Sequence, residues 1–273
     1  MKTFVSGAVA AILAVGVAQT AWAAEGPKPP KQDWSFSGIF GTFDAAARQR
    51  GLQVYREVCS ACHSLDFIAF RDLADLGYSE DEVKAIAAQY SVVDGPNDEG
   101  EMFEREGRPY DYFPAPFANK KAAAAANGGA VPPDLSLMTK ARDGGPDYLY
   151  ALLTGYAEVP DDWQTDPAFS YLKEEFESQG REFEMIDGLS FNHYFPGHQI
   201  AMAAPLSEGV VEYEDGTEAS VEQMAHDVTT FLMWAAEPNL EARKSMGINV
   251  MLFLFFFTGV MYAAKRKIWA DLH

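Results

Sequence analysis

The stretch Cys59-Ser60-Ala61-Cys62-His63 decides how the rest of the chain is read. Two thiols three positions apart at the end of a helix can each add to one vinyl group of a haem, and the adjacent imidazole then serves the iron as its proximal ligand. The chain has 2 cysteines in 273 residues, both in this motif, so a disulfide scaffold is excluded. Three other uses of the pair are weaker. A thioredoxin-like dithiol has no need of the histidine, and the strand and helix alternation of that fold is missing. A zinc site needs a fourth ligand and usually a second cysteine pair. A disulfide across so short a loop would stabilise almost nothing. The motif therefore points to one covalently bound haem c, with thioethers to Cys59 and Cys62 and His63 as iron ligand.

Haem attachment of this kind needs an exported chain, and both ends of the sequence agree with export. Lys2 precedes an apolar run over 8–18 and then Ala21-Trp22-Ala23, small residues at signal-peptidase spacing, so 1–23 reads as a cleaved signal peptide. That run is too short to cross roughly 30 Å of hydrocarbon at about 1.5 Å per residue, and Pro27, Pro29 and Pro30 follow it. Near the other end, 246–264 has no charged residue and contains Phe253, Phe255, Phe256 and Phe257. At helical rise it spans about 28 Å, enough for one transmembrane helix. A buried core helix rarely presents aromatics all round its circumference. Lys265, Arg266 and Lys267 follow and mark the cytoplasmic side. The expected layout is a signal over 1–23, a periplasmic haem domain over 24–243, an anchor helix over 244–264 in membrane lipid, and a cytoplasmic tail over 265–273.

Acidic residues number 40 against 21 basic ones, a net charge of −19, which argues against a nucleic-acid partner and for a basic one. Taking Lys2, Lys244, Lys265, Arg266 and Lys267 from 21 and Asp271 from 40 leaves 16 bases against 39 acids, so the exported part is near −23. The acid concentrates over 80–106 and 158–187. Such runs are usually solvated surface; the alternative is steering of a cationic partner, which salt would suppress.

Local signals predict a mainly α domain with long loops and insertions. Asp44 is placed to cap a helix over 45–58, on which Leu52, Tyr55 and Val58 share a face and which delivers the cysteine motif. Ser79 and Glu82 form a capping-box pattern opening a helix to about Gln89. The polar, Gly- and Pro-rich segment 93–127 reads as mostly irregular, with a short helix over 120–126. Pro146 suits the first turn of a helix to Gly155. The acidic stretch after Pro160 and the segment 191–205 read as loop, and strand character is confined to pieces such as 210–213. Ser220 opens a helix with Met224, Val228, Phe231, Leu232 and Ala235 at helical spacing; Pro238 ends it, and Asn239 is placed to cap the next helix, which runs into the membrane.

The sixth iron position is open on spacing alone. His193, His198 and His226 compete with Met102, Met138, Met185 and Met202, whereas His273 lies beyond the anchor and Met224 and Met233 suit a helix core. A methionine ligand would raise the potential. Met202 is preferred because Ala201, Ala203, Ala204 and Pro205 make a small-residue, proline-stiffened loop able to lie close on a haem face.

Several separate stretches, in order, carry a family resemblance. They are Trp34-Ser35-Phe36 with 38–44, Arg50-Gly51-Leu52-Gln53-Val54-Tyr55 leading into the cysteine motif, Asn127-Gly128-Gly129-Ala130-Val131-Pro132-Pro133-Asp134-Leu135-Ser136, and Tyr194-Phe195-Pro196-Gly197-His198-Gln199-Ile200-Ala201-Met202. From Trp34 through the anchor the chain resembles cytochrome c1, the haem subunit of the cytochrome bc1 complex (ubiquinol–cytochrome c reductase), in a bacterial form. The resemblance implies Met202 as sixth ligand with His63 as fifth, Pro132 and Pro133 lining the haem on the histidine side, Arg142 and Tyr148 near the propionates, and Phe195 against the ring. A guanidinium suits a propionate because it can pair a carboxylate bidentately. An ordinary surface arginine beside Asp143 is the bland reading of Arg142.

The implied activity is electron transfer and not bond-making on a substrate. One electron would come from the Rieske iron-sulfur protein and leave to a soluble or membrane-tethered c-type cytochrome, with cytochrome b as neighbour and a dimeric complex in the bacterial inner membrane. A free-standing membrane-anchored c-type shuttle is the alternative within the same chemistry. From other classes come a haem-free exported dithiol module, which would hold no covalent pigment, and a peroxidase-like haem enzyme, which needs an open sixth position.

Overall fold

Asp44 opens the first helix as expected, its Oδ1 accepting the Ala47 N–H at 3.0 Å. The computed structural model describes residues 27–270, so the predicted signal peptide over 1–23 lies outside the described residues. The helices are α1 Ala45–Glu57, α2 Glu80–Ala87, α3 Lys120–Ala126, α4 Met138–Ala141, α5 Pro146–Thr154, α6 Ser170–Ser178, α7 Val221–Ala236 and α8 Leu240–Ile268. Two tight 3-10 segments, Cys59–Ala61 and Phe70–Leu76, add to them. The strands are β1 Ser91–Asp94 with β2 Phe103–Glu106, and β3 Ser190–Phe191 with β4 Gln199–Ile200, each an antiparallel pair. The mainly α expectation holds.

The main core forms where α1 crosses α7, with Leu52, Val54, Tyr55, Met224, Val228, Phe231 and Trp234 buried. Gly51 permits this crossing. A Cβ there would stand 2.1 Å from the Asp227 carbonyl oxygen and 2.7 Å from the Phe231 Cβ, and neither helix backbone can yield cheaply. Gly51→Ala is therefore expected to cost about 1–3 kcal/mol, read as a lowered midpoint in denaturant unfolding of the haem-loaded protein. A midpoint within error of the parent would show that the two helices can slide apart freely.

One ion pair is buried in the same crossing. Arg50 grips Asp227 with two hydrogen bonds, Nε to Oδ2 at 2.7 Å and Nη2 to Oδ1 at 3.1 Å, and reaches Asp215 with Nη1 at 2.8 Å. Burial alone would raise the Asp227 pKa, but hydrogen bonds from His226, Arg50 and Gln223 hold it below the usual carboxylate range. Ahead of α1, Trp34 donates its indole N–H to the buried Asp147 of α5 at 2.7 Å and stacks on His226, tying the N-terminal segment across α5 and α7.

Several expectations need correction. Segment 93–127 is not mostly irregular at its start, because β1 pairs with β2 and Arg105 binds Asp94 and Asp111 beneath the hairpin. The acidic stretch after Pro160 is not simple loop. It contains α6, whose Leu172 and Phe176 pack with Phe169, Phe183 and Phe191 into a second, smaller core. That apolar spacing is helical, and the surrounding acid obscured it. Within 191–205 the chain forms the two-residue ladder of β3 and β4. Residues 210–213 make no strand; Val211 and Tyr213 are buried from an irregular segment.

The last helix is long and apolar enough to cross a membrane; it begins at Leu240, directly after Asn239 as expected, and runs through the basic cluster to Ile268. Asn239 stands at its start without a side-chain cap. The helix is instead bolted to the domain by buried Leu240, by Glu241 Oε1 accepting the Phe43 N–H at 2.7 Å, and by Lys244. Glu237, at the end of α7, pairs with both Lys140 and Arg243.

Candidate haem site

At the end of α1 the chain tightens into the 3-10 turn Cys59–Ala61, where the Cys62 and His63 N–H groups both donate to the Cys59 carbonyl at 3.1 and 2.9 Å. This turn fixes both thiols and the imidazole on one short piece of backbone. The Tyr55 hydroxyl donates to the His63 carbonyl at 3.2 Å, anchoring the turn to the core. Burial, with Cys62 beside it, pushes the Cys59 thiol up to about 12. That is the opposite of the lowering that a dithiol oxidoreductase uses. Among the described residues no group of three or more His, Cys, Asp or Glu gathers as a zinc site would require.

The segment 127–136 lies against the turn and is clamped there by Asp134. Its Oδ2 accepts from Ser64 Oγ and from the Asp66 N–H, each at 2.8 Å, and its Oδ1 accepts the Ser136 N–H at 2.9 Å. Leu135 N–H to the Ser64 carbonyl, at 2.9 Å, completes the junction. The clamp brings the Pro133 carbonyl to 2.8 Å from His63 Nδ1. A proton on Nδ1 donated to that oxygen leaves Nε2 with its lone pair free, the tautomer that an axial imidazole needs. Burial lowers the His63 pKa, against the opposing effects of Pro133 and Asp134, which favours the neutral ring. The donor set therefore fits a haem iron on the histidine side. Pro132 is half-buried and Pro133 exposed on the same strap.

The other group of expected residues gathers around the end of α5. The Tyr156 hydroxyl donates to the Met202 carbonyl at 3.1 Å. Burial and then the neighbouring Tyr148 hydroxyl push the Tyr156 pKa up, and at Tyr148 burial raises the pKa while Arg142 opposes it. Tyr156 is thus joined directly to the Met202 loop, while Tyr148 is buried on α5 and Arg142 lies between α4 and α5. Arg142 is exposed and, among the described residues, has no carboxylate partner; its Nη1 reaches only the Ala141 carbonyl at 3.0 Å. Phe195 is half-buried in the turn between β3 and β4.

The loop that carries Met202 is held by Asn192, which sequence reasoning missed. Asn192 Nδ2 donates to the Leu152 carbonyl at 2.7 Å, and its Oδ1 accepts from the Tyr194 and Phe195 N–H groups at 3.0 and 3.2 Å. The His193 N–H meets the Gly155 carbonyl at 2.8 Å. Gly155 has no room for a side chain, since a Cβ would lie 2.7 Å from the Tyr194 ring. The sequence marks 191–205 only as loop, and nothing in it ties that loop to α5.

Most of the competing ligands are engaged elsewhere. His198 is fully buried in the smaller core, with Nε2 at 3.1 Å from Glu175 and Nδ1 at 3.3 Å from the Asn192 carbonyl, so both ring nitrogens have protein partners. His193 Nδ1 meets the Tyr171 hydroxyl at 2.7 Å. Met138 packs in the main core, Met185 against the smaller one, and Met102 lies exposed beside β2.

Comparison with known proteins extends these observations. Residues 34–272 match the Cytochrome C1 family. Cytochrome c1 of Rhodospirillum rubrum is 50% identical over 274 residues, spanning 100% of this chain and 99% of the relative. Cytochrome b/c1 of Bradyrhizobium diazoefficiens is 51% identical over 284 residues, and this chain spans 41% of its length. A mitochondrial protein of Arabidopsis thaliana, named cytochrome c1 1, heme protein, is 46% identical over 94% of this chain and 77% of its own.

Proposed function

Because the chain belongs to the cytochrome c1 family, we propose that it takes one electron at a time from a Rieske iron-sulfur protein and hands it to a soluble or membrane-tethered c-type cytochrome. As a member of that family it is a haem protein and an electron-transfer subunit of the cytochrome bc1 complex. The observation that carries the reading is His63 Nδ1 held at 2.8 Å from the Pro133 carbonyl within a C-x-x-C-H turn.

When bound, the haem supplies a one-electron ferrous/ferric couple. This chain's residues decide where the group sits and what it experiences. Cys59 and Cys62 supply the thioether sulfurs, and the 3-10 turn sets their spacing. His63 offers Nε2 as fifth ligand, with Pro133 fixing its ring. Met202 offers its thioether as sixth ligand, on a loop tied down by Tyr156 and Asn192. Arg142 and Tyr148 would meet the propionates, and Pro132 and Phe195 would lie against the ring. The polypeptide makes and breaks no substrate bonds, and quinol oxidation belongs to the assembled complex, a dimer with cytochrome b.

In this reading α8 crosses the bacterial inner membrane once, with the haem domain over 24–243 in the periplasm and the tail in the cytoplasm. The exposed acid of the domain steers a basic cytochrome. Extraction in mild detergent followed by reduced and oxidised spectra tests the whole proposal. A complex containing b-type haem, with c-type haem retained after denaturation, is expected. A lone c-type protein would favour the free-standing shuttle, and loss of pigment on denaturation would overturn covalent attachment.

Tyr156→Phe gives a finer test of the ligand loop. Removing the hydroxyl deletes one hydrogen bond to the Met202 carbonyl, about 1 kcal/mol of local stabilisation. The reduced variant should take up carbon monoxide several-fold faster, with a melting temperature lowered by no more than about 2–4 °C. Unaltered uptake would mean that Tyr156 does not restrain Met202.

A further inference from the structure

We propose that the turn over 35–41 is a second membrane contact, with Ile39 and Phe40 resting at the headgroup and upper acyl boundary of the lipid bilayer beside the base of α8. The inference rests on α8 as the membrane-crossing helix. Ile39 and Phe40 are 67% and 76% exposed, whereas Trp34, Phe36 and Phe43 on either side are buried. The tip is held stiffly. Ser37 N–H bonds the Trp34 carbonyl at 2.9 Å and Thr42 N–H the Ser35 carbonyl at 3.1 Å, and a Cβ at Gly41 would stand 1.9 Å from the Ser37 carbonyl.

Lys244 of α8 fixes where this tip sits. Its Nζ donates to the Phe36 carbonyl at 2.6 Å and the Gly41 carbonyl at 3.0 Å, one on each side of the turn. Lys244 precedes Met246, where the uncharged span starts, by about 3 Å of helical rise. Ile248, four residues on and so on the same helix face, is the one residue of 245–270 that is half-buried. The turn therefore reaches the first turn of the apolar span.

Chemistry selects lipid as the occupant. In a domain this acidic, 35–43 holds no charged residue; the charged side chains that tie it down, Lys244 at Phe36 and Gly41 and Glu241 at Phe43, both come from α8 and leave the tip at Ile39 and Phe40 uncharged. An uncharged, stiffly held tip bearing Ile and Phe beside the first turn of an apolar membrane-length helix matches an interfacial membrane contact, where apolar side chains leave water.

The test uses the full haem-loaded chain in vesicles of phosphatidylcholine and phosphatidylglycerol. With Cys59 and Cys62 consumed by thioethers, Ile39→Cys and Phe40→Cys each accept a single spin label. Labels at both positions should collide with an aqueous nickel chelate several-fold less often than a label at Asp98→Cys, and relatively more often with oxygen. Nickel access equal to that at Asp98→Cys overturns the proposal. A label at Phe255→Cys separates the two readings: shielded at 255 but open at 39 and 40 sinks the turn contact alone, and open at 255 sinks both. Shielding that arises only in the complex containing b-type haem assigns the tip to a protein surface and overturns the lipid contact.

Discussion

Replacing Met202 by Leu should lower the haem midpoint potential by on the order of 0.1 V, a fraction of the roughly 0.8 V that axial ligands command, and should open the reduced iron to carbon monoxide. A thioether favours ferrous iron over a harder or absent ligand, so its loss shifts the couple downward. The size of the effect depends on whether a substitute can reach the iron. His198 would have to abandon Glu175 and the Asn192 carbonyl from a fully buried position, and His193 would have to abandon Tyr171. Both moves expose buried polar groups, so an open site is expected in preference to a bis-histidine one. An unchanged spectrum and potential in Met202→Leu would remove Met202 from the ligand position. A bis-histidine spectrum would show that the smaller core is softer than its packing implies.

Arg50→Ala should cost about 3–5 kcal/mol of stability at pH 7, because it strands the fully buried Asp227 without its cation. The pH dependence should also change. In the parent the folded-state pKa of Asp227 is depressed, so its contribution is complete above the unfolded value near 3.9 and is lost as pH falls through the folded one. Without Arg50, burial opposes ionisation with less resistance, and the folded pKa moves up. Acidification to pH 4.5 then relieves the variant, while the parent keeps its contribution down to the unfolded value. The gap between the two should be narrower at pH 4.5 than at pH 7 in denaturant midpoints, and Asp227→Asn in the same background should restore part of the loss. An equal gap at both pH values would mean that Arg50 acts through packing alone.

The haem motif, the capped helices and the apolar span were legible because each is written in contiguous residues. Asp44, Ser79 and Ser220 announce helix starts within three or four positions, and the structure places α1, α2 and α7 behind them. Features that depend on distant partners were not legible. β1 and β2 lack an apolar alternation and are held partly by Arg105 against Asp94 and Asp111. The helix α6 hid inside an acid-rich stretch because charge dominates a local reading, although Phe169, Leu172 and Phe176 share the spacing of a buried face.

By itself, then, the sequence determined that one short turn offers two thioether sulfurs and an imidazole, that the fold is mainly helical, and that 246–264 forms an apolar helix long enough to cross a membrane. Only the tertiary structure decided which side chains serve that turn. Asp134 brings the Pro133 carbonyl to His63 across 70 residues, and Tyr156 reaches the Met202 carbonyl across 46. The structure also decided that His198 is spent on Glu175. The physical reason is common to all three. A side chain's intrinsic chemistry is local, but whether its lone pair is free depends on the hydrogen-bond partners that packing brings, and those come from anywhere in the chain.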